Sequence, residues 1–316
     1  MTSYLLRRLS FAALLVFVVS SSAFMLPRLV PGDYATATLG IEARRETAAE
    51  TRARLGLDRP LAAQYADWLR GAARLDFGRS LLYDRPVTDL IPERAANTAV
   101  LAATALFFAT CIGIPLGILT GSRRGGFVPA VVRSMSVLLL SMPPLLTSLL
   151  FVFIAARTGW APIGGMRSAD AAGGTAADLI RHLVVPAAAL ALPIAALFER
   201  LQGQAIRETL AQPFVLASLS RGVPRARLVW RDALKASLRP VIAVYGLIVG
   251  SLLSGSFVVE VITSWPGLGQ LTLEALRARD IYLVAGCAAA GALFLAAGTV
   301  LSDVALAWAD PRTIAA

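Results

Sequence analysis

Six long apolar runs constrain this chain of 316 residues more than any other feature. A helix needs about 20 apolar residues to cross a bilayer, and it satisfies its own backbone hydrogen bonds there. The runs lie at about residues 9–29, 98–120, 134–156, 183–198, 241–259 and 281–307. The sequence therefore predicts an all-α, polytopic membrane protein with six transmembrane helices.

The charged residues support this class. They make up 16% of the chain, against about a quarter in soluble domains. The net charge of +10 comes almost wholly from arginine, since Lys235 is the single lysine. Many of the arginines stand in short segments between apolar runs, which is typical of topology signals rather than of a nucleic-acid-binding face. We expect membrane lipid, and no nucleic acid, as a partner.

The amino-terminal third contains the first span and a polar insertion. Arg7 and Arg8 precede the first run, as in a cytoplasmic flank. Small residues at Ser22 and Ala23 leave a cleaved signal peptide open. Because five runs follow, an uncleaved span over residues 1–30 is the simpler interpretation. Residues 31–97 then predict a small extracytoplasmic insertion, with helical periodicity between residues 42 and 69.

The polar loop at residues 202–239 sets the orientation. Its acidic residues are Glu208 and Asp232, and its basic residues are Arg207, Arg221, Arg225, Arg227, Arg231, Lys235 and Arg239. Short loops rich in arginine and lysine stay on the cytoplasmic side. We therefore expect both termini in the cytoplasm. Gly222, Val223 and Pro224 predict a helix end and restart within this loop, which is either a solvated loop or a short helix for a cytoplasmic partner.

No residue pattern indicates catalysis. The only lysine lies outside any phosphate-binding loop, and Cys111, Cys287 and His182 form no metal-ligand pattern. We expect no catalytic, cofactor-binding or metal site. Glu260 and Asp303, near the ends of the last two spans, are either interfacial or paired carboxylates, or members of a proton relay. Small residues at 246, 250, 254 and 255 favour close helix packing or a pathway wall.

Residues 214–222 (FVLASLSRG), followed by LVWRDAL at 228–234 and by Pro240, resemble the permeases of the dipeptide/oligopeptide/nickel ABC importer family. In that family the loop forms a coupling helix that docks into a groove on the ATPase subunit. The resemblance assigns this role to Phe214, Ala217, Ser218, Arg221, Gly222, Arg225 and Leu228. The match is degenerate: Leu216 replaces an acidic residue, Ser218 an alanine, and Asp232 a frequent histidine.

Further matches span the chain, at residues 4–8, 31–33, 55–61, 76–80, 265–269 and 310–312. The insertion at 31–97 resembles that of the first of two permeases in such systems. Residues 98–316 then correspond to an importer transmembrane domain of five helices with the coupling loop 202–239. The resemblance also assigns an outer gate or docking loop to Glu260, Trp265, Pro266, Gly267 and Gly269. A plain structural turn is the alternative interpretation of these residues.

The resemblance implies a permease of a bacterial inner-membrane importer for peptides or a similar solute. Its implied partners are a second permease, two ATP-binding cassette subunits that use the ATP, and an extracytoplasmic binding protein. An ion-coupled secondary transporter is the alternative, and it needs acidic residues or broken helices at the membrane centre. Uptake that requires ATP but no ion gradient would separate the two.

Overall fold

The computed structural model describes residues 2–29, 32–39, 45–123, 125–168 and 175–309. Within these ranges the fold is helical, and an isolated bridge joins Arg79 to Pro86. The α-helices are α1 Thr2–Leu29, α2 Tyr34–Leu39, α3 Arg45–Arg54, α4 Leu61–Ala72, α5 Val87–Ser122, α6 Phe127–Ser141, α7 Pro144–Thr158, α8 Ala176–Leu210, α9 Pro213–Ser220, α10 Arg225–Arg227, α11 Leu234–Ser237, α12 Arg239–Ile262, α13 Leu268–Ala278 and α14 Ile281–Ala309. A π-helical turn, Leu228–Ala233, lies between α10 and α11.

Four of the described helices are each long and apolar enough to cross a membrane, which confirms the polytopic all-α class. They are Leu6–Leu29, Val87–Ser122, Ala176–Leu210 and Ile281–Leu301. Two bent pairs pass the same test when each pair is taken together: α6 with α7, and Arg225–Ser237 with Arg239–Leu252. The described residues therefore provide four to six spans, and six requires each bent pair to be one span.

The third apolar run forms two helices with a sharp bend between them. The predicted break is present: α6 ends at Ser141, and α7 begins at Pro144. Met142 and Pro143 between them are extended, because a residue that precedes proline is driven out of the helical region. The two helices are bent by 109°, far more than a proline kink inside a continuous helix requires.

The fourth run is longer than its apolar residues suggest. Helix α8 has 35 residues, and Thr175 caps its start by accepting a hydrogen bond from the Asp178 amide. The helix begins seven residues before the predicted run at 183–198, and it continues to Leu210, past the predicted loop start at 202. Its last three turns are amphipathic: Arg200 is exposed and Gln202 is buried. A span predicted from apolar residues alone ends where these polar side chains begin, although the helix itself continues.

The chain separates into two compact units. The first contains Met1–Thr98 and Pro266–Ala296, and the second Ala99–Trp265 and Ala297–Ala316. An aromatic cluster anchors the insertion in the first unit. There the Phe24 ring of α1 stacks on the Trp68 ring of α4, with centroids 4.9 Å apart, and Tyr282 approaches Phe24 edge-on.

In the second unit, α8 packs against α5, α6, α7 and α12. Gly113, Gly117 and Gly121 recur at every fourth position of α5 and face α8. A Cβ atom at Gly113 would lie 2.5 Å from the Ala195 carbonyl oxygen, and the other two glycines are similarly close to α8. This stripe of small residues lets the two backbones approach closely, as in other membrane helix pairs.

Candidate functional site

The candidate coupling segment, defined here as residues 213–237, begins with the short helix α9. Pro213 occupies the first turn, where its missing amide hydrogen costs nothing. At the other end Gly222 is left-handed, with φ of 82°. Its amide donates to the Leu219 carbonyl at 2.9 Å, and the Val223 amide donates to the Ser218 carbonyl at 3.2 Å. These two bonds form a Schellman cap, so the predicted helix end at Gly222 is confirmed.

The segment exposes large apolar side chains. The exposed fraction is 45% for Phe214, 60% for Leu216, 42% for Leu219 and 55% for Trp230. Isolated exposed apolar residues are ordinary, but several together on one short segment mark an interaction surface. Of the predicted residues, Ala217, Arg221, Gly222 and Arg225 are also exposed, and Ser218 is half-buried.

A buried side of the same segment fixes it to the helices of its unit. Val229 and Ala233, in the π-helical turn, join a buried cluster with Ile118 of α5 and Ile206 of α8. The Arg225 guanidinium donates to the Ser122 carbonyl at 3.2 Å, which ties the segment to the end of α5. The segment therefore exposes apolar side chains on one side, while its other side is fixed to α5 and α8.

Leu228 belongs to the buried side. It is 1% exposed, so it cannot contact a partner as an exposed docking residue would. Conversely, Leu216, Leu219 and Trp230 are exposed contact candidates that the predicted set omits. The helical spacing of Leu216 and Leu219, three residues apart on α9, is the signal that indicates them.

The predicted outer loop is mostly buried. Glu260 and Trp265 are fully buried in the second unit, and the Trp265 amide donates to the Glu260 carbonyl at 2.8 Å. In the first unit, Gly267 and Gly269 are buried and Pro266 is half-buried. Glu260 therefore does not reach water, contrary to the interfacial interpretation. The burial favours a structural turn over a docking loop, and the Asp303 side chain lies outside the described residues.

Within the first unit, the insertion is tied to residues 266–280. The Asp280 carboxylate is fully buried and accepts hydrogen bonds from the Ser80 hydroxyl at 2.6 Å and the Leu82 amide at 3.0 Å. The Tyr83 hydroxyl donates to Glu274 at 2.5 Å. Burial and this hydrogen bond raise the pKa of Tyr83 to about 12. Residues 80–83 and 274–280 must therefore lie on the same side of a membrane.

Polar side chains are also buried where α5 meets α8 and α11. The Thr120 hydroxyl donates to the Glu199 carboxylate at 2.5 Å. The Gln202 amide donates to the Ser237 hydroxyl at 2.7 Å. Both Glu199 and Gln202 are at most 2% exposed, so these bonds link the end of α8 to α5 and to α11, the last helix of the coupling segment, through buried contacts. The sequence signal for them is weak, because both residues stand in a polar stretch.

Comparison with known proteins covers the whole chain. Residues 113–315 match the family described as binding-protein-dependent transport system inner membrane component, and residues 1–102 match its N-terminal family. A putative peptide permease protein of Brucella suis biovar 1 (strain 1330) is 33% identical over 317 residues, 99% of each chain. The oligopeptide transport system permease protein AppB of Bacillus subtilis (strain 168) is 28% identical over 314 residues, again 99% of each.

The expected resemblance is therefore confirmed, and the chain is a multi-pass membrane component of a transport system. Two family matches that together span nearly the entire sequence, with a relative above 30% identity over its full length, show that the protein belongs to the binding-protein-dependent transport system inner membrane component family.

Proposed function

We propose that this chain is one permease of an ATP-driven ABC importer that carries peptides across the bacterial inner membrane. The relatives are named as peptide or oligopeptide permeases, which supports this solute class. A second permease forms the other half of the pathway, and an extracytoplasmic binding protein delivers the solute. Two ATP-binding cassette subunits supply the energy, so this chain needs no ATPase site of its own.

The observation that carries this proposal is the form of the coupling segment. Helix α9 is short, is stopped by a left-handed glycine, and holds Phe214, Leu216 and Leu219 exposed above a buried anchor. An exposed apolar set on a fixed helix suits insertion into a groove of a partner. Motion of the ATPase would then be transmitted through the buried cluster to α5 and α8.

The orientation belongs to the same proposal: both termini and the coupling segment are cytoplasmic, and the insertion is outside. The contact of Arg225 with Ser122 supports it, because both belong to arginine-rich segments. The contacts of Asp280 with residues 80 and 82 support the other side, since the loops after the first and fifth predicted spans must share it.

The test is the Gly222→Val variant in the assembled transporter. A branched side chain disfavours the backbone angle φ of 82° that Gly222 adopts. The substitution would therefore displace α10, which carries Arg225 and Arg227, from its position against α5. We expect uptake to fall at least about tenfold, on the scale of a lost interface hot spot, while the chain still inserts into the membrane. Uptake and ATP hydrolysis are measured together in proteoliposomes.

Gly159→Val is the matched control. Gly159 also ends a helix with positive φ, at 65°, and a Cβ atom there meets no heavy atom within 4 Å, as at Gly222. The backbone strain is comparable, but this glycine follows α7, away from the coupling segment in sequence. Equal uptake and ATP hydrolysis in the two variants would contradict the coupling assignment.

A further inference from the structure

A cavity of about 490 Å³ lies between α6 and the last turns of α8, in the second unit. Three arginines line it: Arg133 from α6, and Arg200 and Arg207 from α8. Glu199 is the one carboxylate among its lining residues. The charged side chains of the lining therefore leave two net positive charges, which is a suitable environment for an anion.

The donors of this cavity are only partly used within the described chain. The Arg133 guanidinium donates to the Thr120 carbonyl at 2.8 Å, while its buried Nε atom has no hydrogen-bond partner among the described residues. Glu199 is held by Thr120 and cannot neutralise three guanidinium groups. Arginine presents several N–H groups in a planar fork that matches phosphate oxygens.

Apolar surface continues directly from the arginines. Val137 and Leu140 of α6 line the cavity and are exposed. On α6, Arg133, Val137 and Leu140 stand at spacings of four and three residues, which places the arginine and the two apolar side chains on one face. A small soluble anion needs no such surface, whereas a molecule with a charged head and apolar chains does.

The depth of the cavity fits a headgroup. Arg207 and Arg200 stand about 5 and 15 Å before the end of α8 at Leu210, at 1.5 Å per residue. Arg133 reaches the carbonyls of Thr120 and Arg123, beside the short basic turn that follows α5. Both helix ends lie on the side that the arginine pattern assigns to the cytoplasm. Anionic lipids of the cytoplasmic leaflet attract basic residues near that surface.

We propose that this cavity binds the phosphate headgroup of an anionic phospholipid from the cytoplasmic leaflet, with the acyl chains lying along the apolar face of α6. The guanidinium groups of Arg200 and Arg207 contact the phosphate. Arg133, which is held by its hydrogen bonds to the Thr120 and Arg123 carbonyls, lines the cavity beneath it. Such a lipid would fill the space between α6 and α8 beside the buried link from Glu199 to Thr120.

The experiment measures retention of phosphatidylglycerol by the purified chain and by the assembled transporter, using native mass spectrometry, with phosphatidylcholine as the reference lipid. Arg200→Gln and Arg207→Gln should each weaken retention about fivefold, and the double variant about 30-fold, at about 1 kcal/mol per basic residue. Arg181→Gln is the matched control, because it removes an exposed arginine near the other end of α8. It should change retention less than twofold.

Three results would overturn the proposal. The first is equal retention of phosphatidylglycerol by the double variant and the native chain, or no preference over phosphatidylcholine. The second is displacement by glycerol 3-phosphate at equal concentration, which would assign the cavity to a soluble phosphate. The third is lipid bound by the chain alone but absent from the assembled transporter, which would make this face a contact between permeases.

Discussion

The insertion of the first unit and the coupling segment of the second are both polar stretches between apolar runs, yet they are built in opposite ways. The insertion buries its large aromatic residue, Trp68, and ties its loop to Asp280 by hydrogen bonds. The coupling segment leaves Phe214 and Trp230 about half exposed. The first region completes its own packing, whereas the second leaves large apolar side chains exposed.

This difference separates two uses of a loop in a membrane protein. Hydrogen bonds to a buried carboxylate are strong and directional, so they fix one arrangement of the insertion. Exposed apolar side chains contribute little to the stability of the chain that carries them, but they stabilise a complex once covered. Changes in the insertion should therefore alter local stability, and changes in the coupling segment should alter assembly and transport.

The largest expected effect is the all-or-none labelling of the two regions. A cysteine at Ala49, exposed on α3, should react with a membrane-impermeant maleimide added outside intact cells, and one at Arg225 should not. The exposed native Cys111 is first replaced, while Cys287 is buried. Permeabilised cells, in which both sites should react, are the control. The reverse pattern would overturn the orientation.

The next effect concerns the stability of the insertion. Asp280→Ala removes the acceptor for the Ser80 hydroxyl and for the Leu82 and Leu283 amides, and we expect a local loss of about 3 kcal/mol. Hydrogen exchange at the two amides measures it. Asp84→Ala is the control, since its pair with Arg79 is exposed and contributes at most about 1 kcal/mol. Unchanged hydrogen exchange in the Asp280 variant would contradict the proposal that hydrogen bonds to Asp280 stabilise the insertion.

The smallest expected effect is confined to binding. Phe214→Ala should weaken association with the ATPase by about 2 kcal/mol, or roughly 30-fold, because an exposed aromatic side chain that fills a pocket acts as a hot spot. Exchange of amides in the chain alone should stay unchanged. Phe127→Ala, at the exposed start of α6, serves as the control and should leave association unaltered. An equal loss in both variants would argue against a specific pocket for Phe214.

The features that could be predicted from the sequence are those set by neighbouring residues. The end of α9 at Gly222 is local, because only glycine takes a left-handed cap at no steric cost, and Pro224 excludes continuation. The break at Pro143 and Pro144 is local in the same sense. The angle of 109° between α6 and α7 is not, since it depends on how both helices pack against α8.

Burial of polar residues is what the sequence predicts least well. Glu199 and Gln202 stand in a polar stretch, and apolarity alone ends the span at Phe198. The small residues of α5 let it lie close enough for Thr120 to reach Glu199, so one oxygen of this buried carboxylate is hydrogen-bonded where α8 continues beyond the apolar run. Glu260 shows the same limit: a carboxylate at a helix end is compatible with an interfacial position or with a paired one, and tertiary packing, which encloses Glu260 completely, excludes the interfacial position.

The π-helical turn at Leu228–Ala233 has a consequence for residue counting. Each α-helical residue rotates the chain by about 100°, and a π turn accommodates one residue more than an α turn. Side chains before the turn are therefore out of phase with those on α11 by one such step. Deleting a single residue from the π-helical turn would restore the α-helical phase between α10 and α11. The exposed arginines of α10 would then rotate about the helix axis relative to the buried Ser237 of α11. Chimaeras made with relatives must therefore preserve the length of this stretch, even where its composition is free to vary.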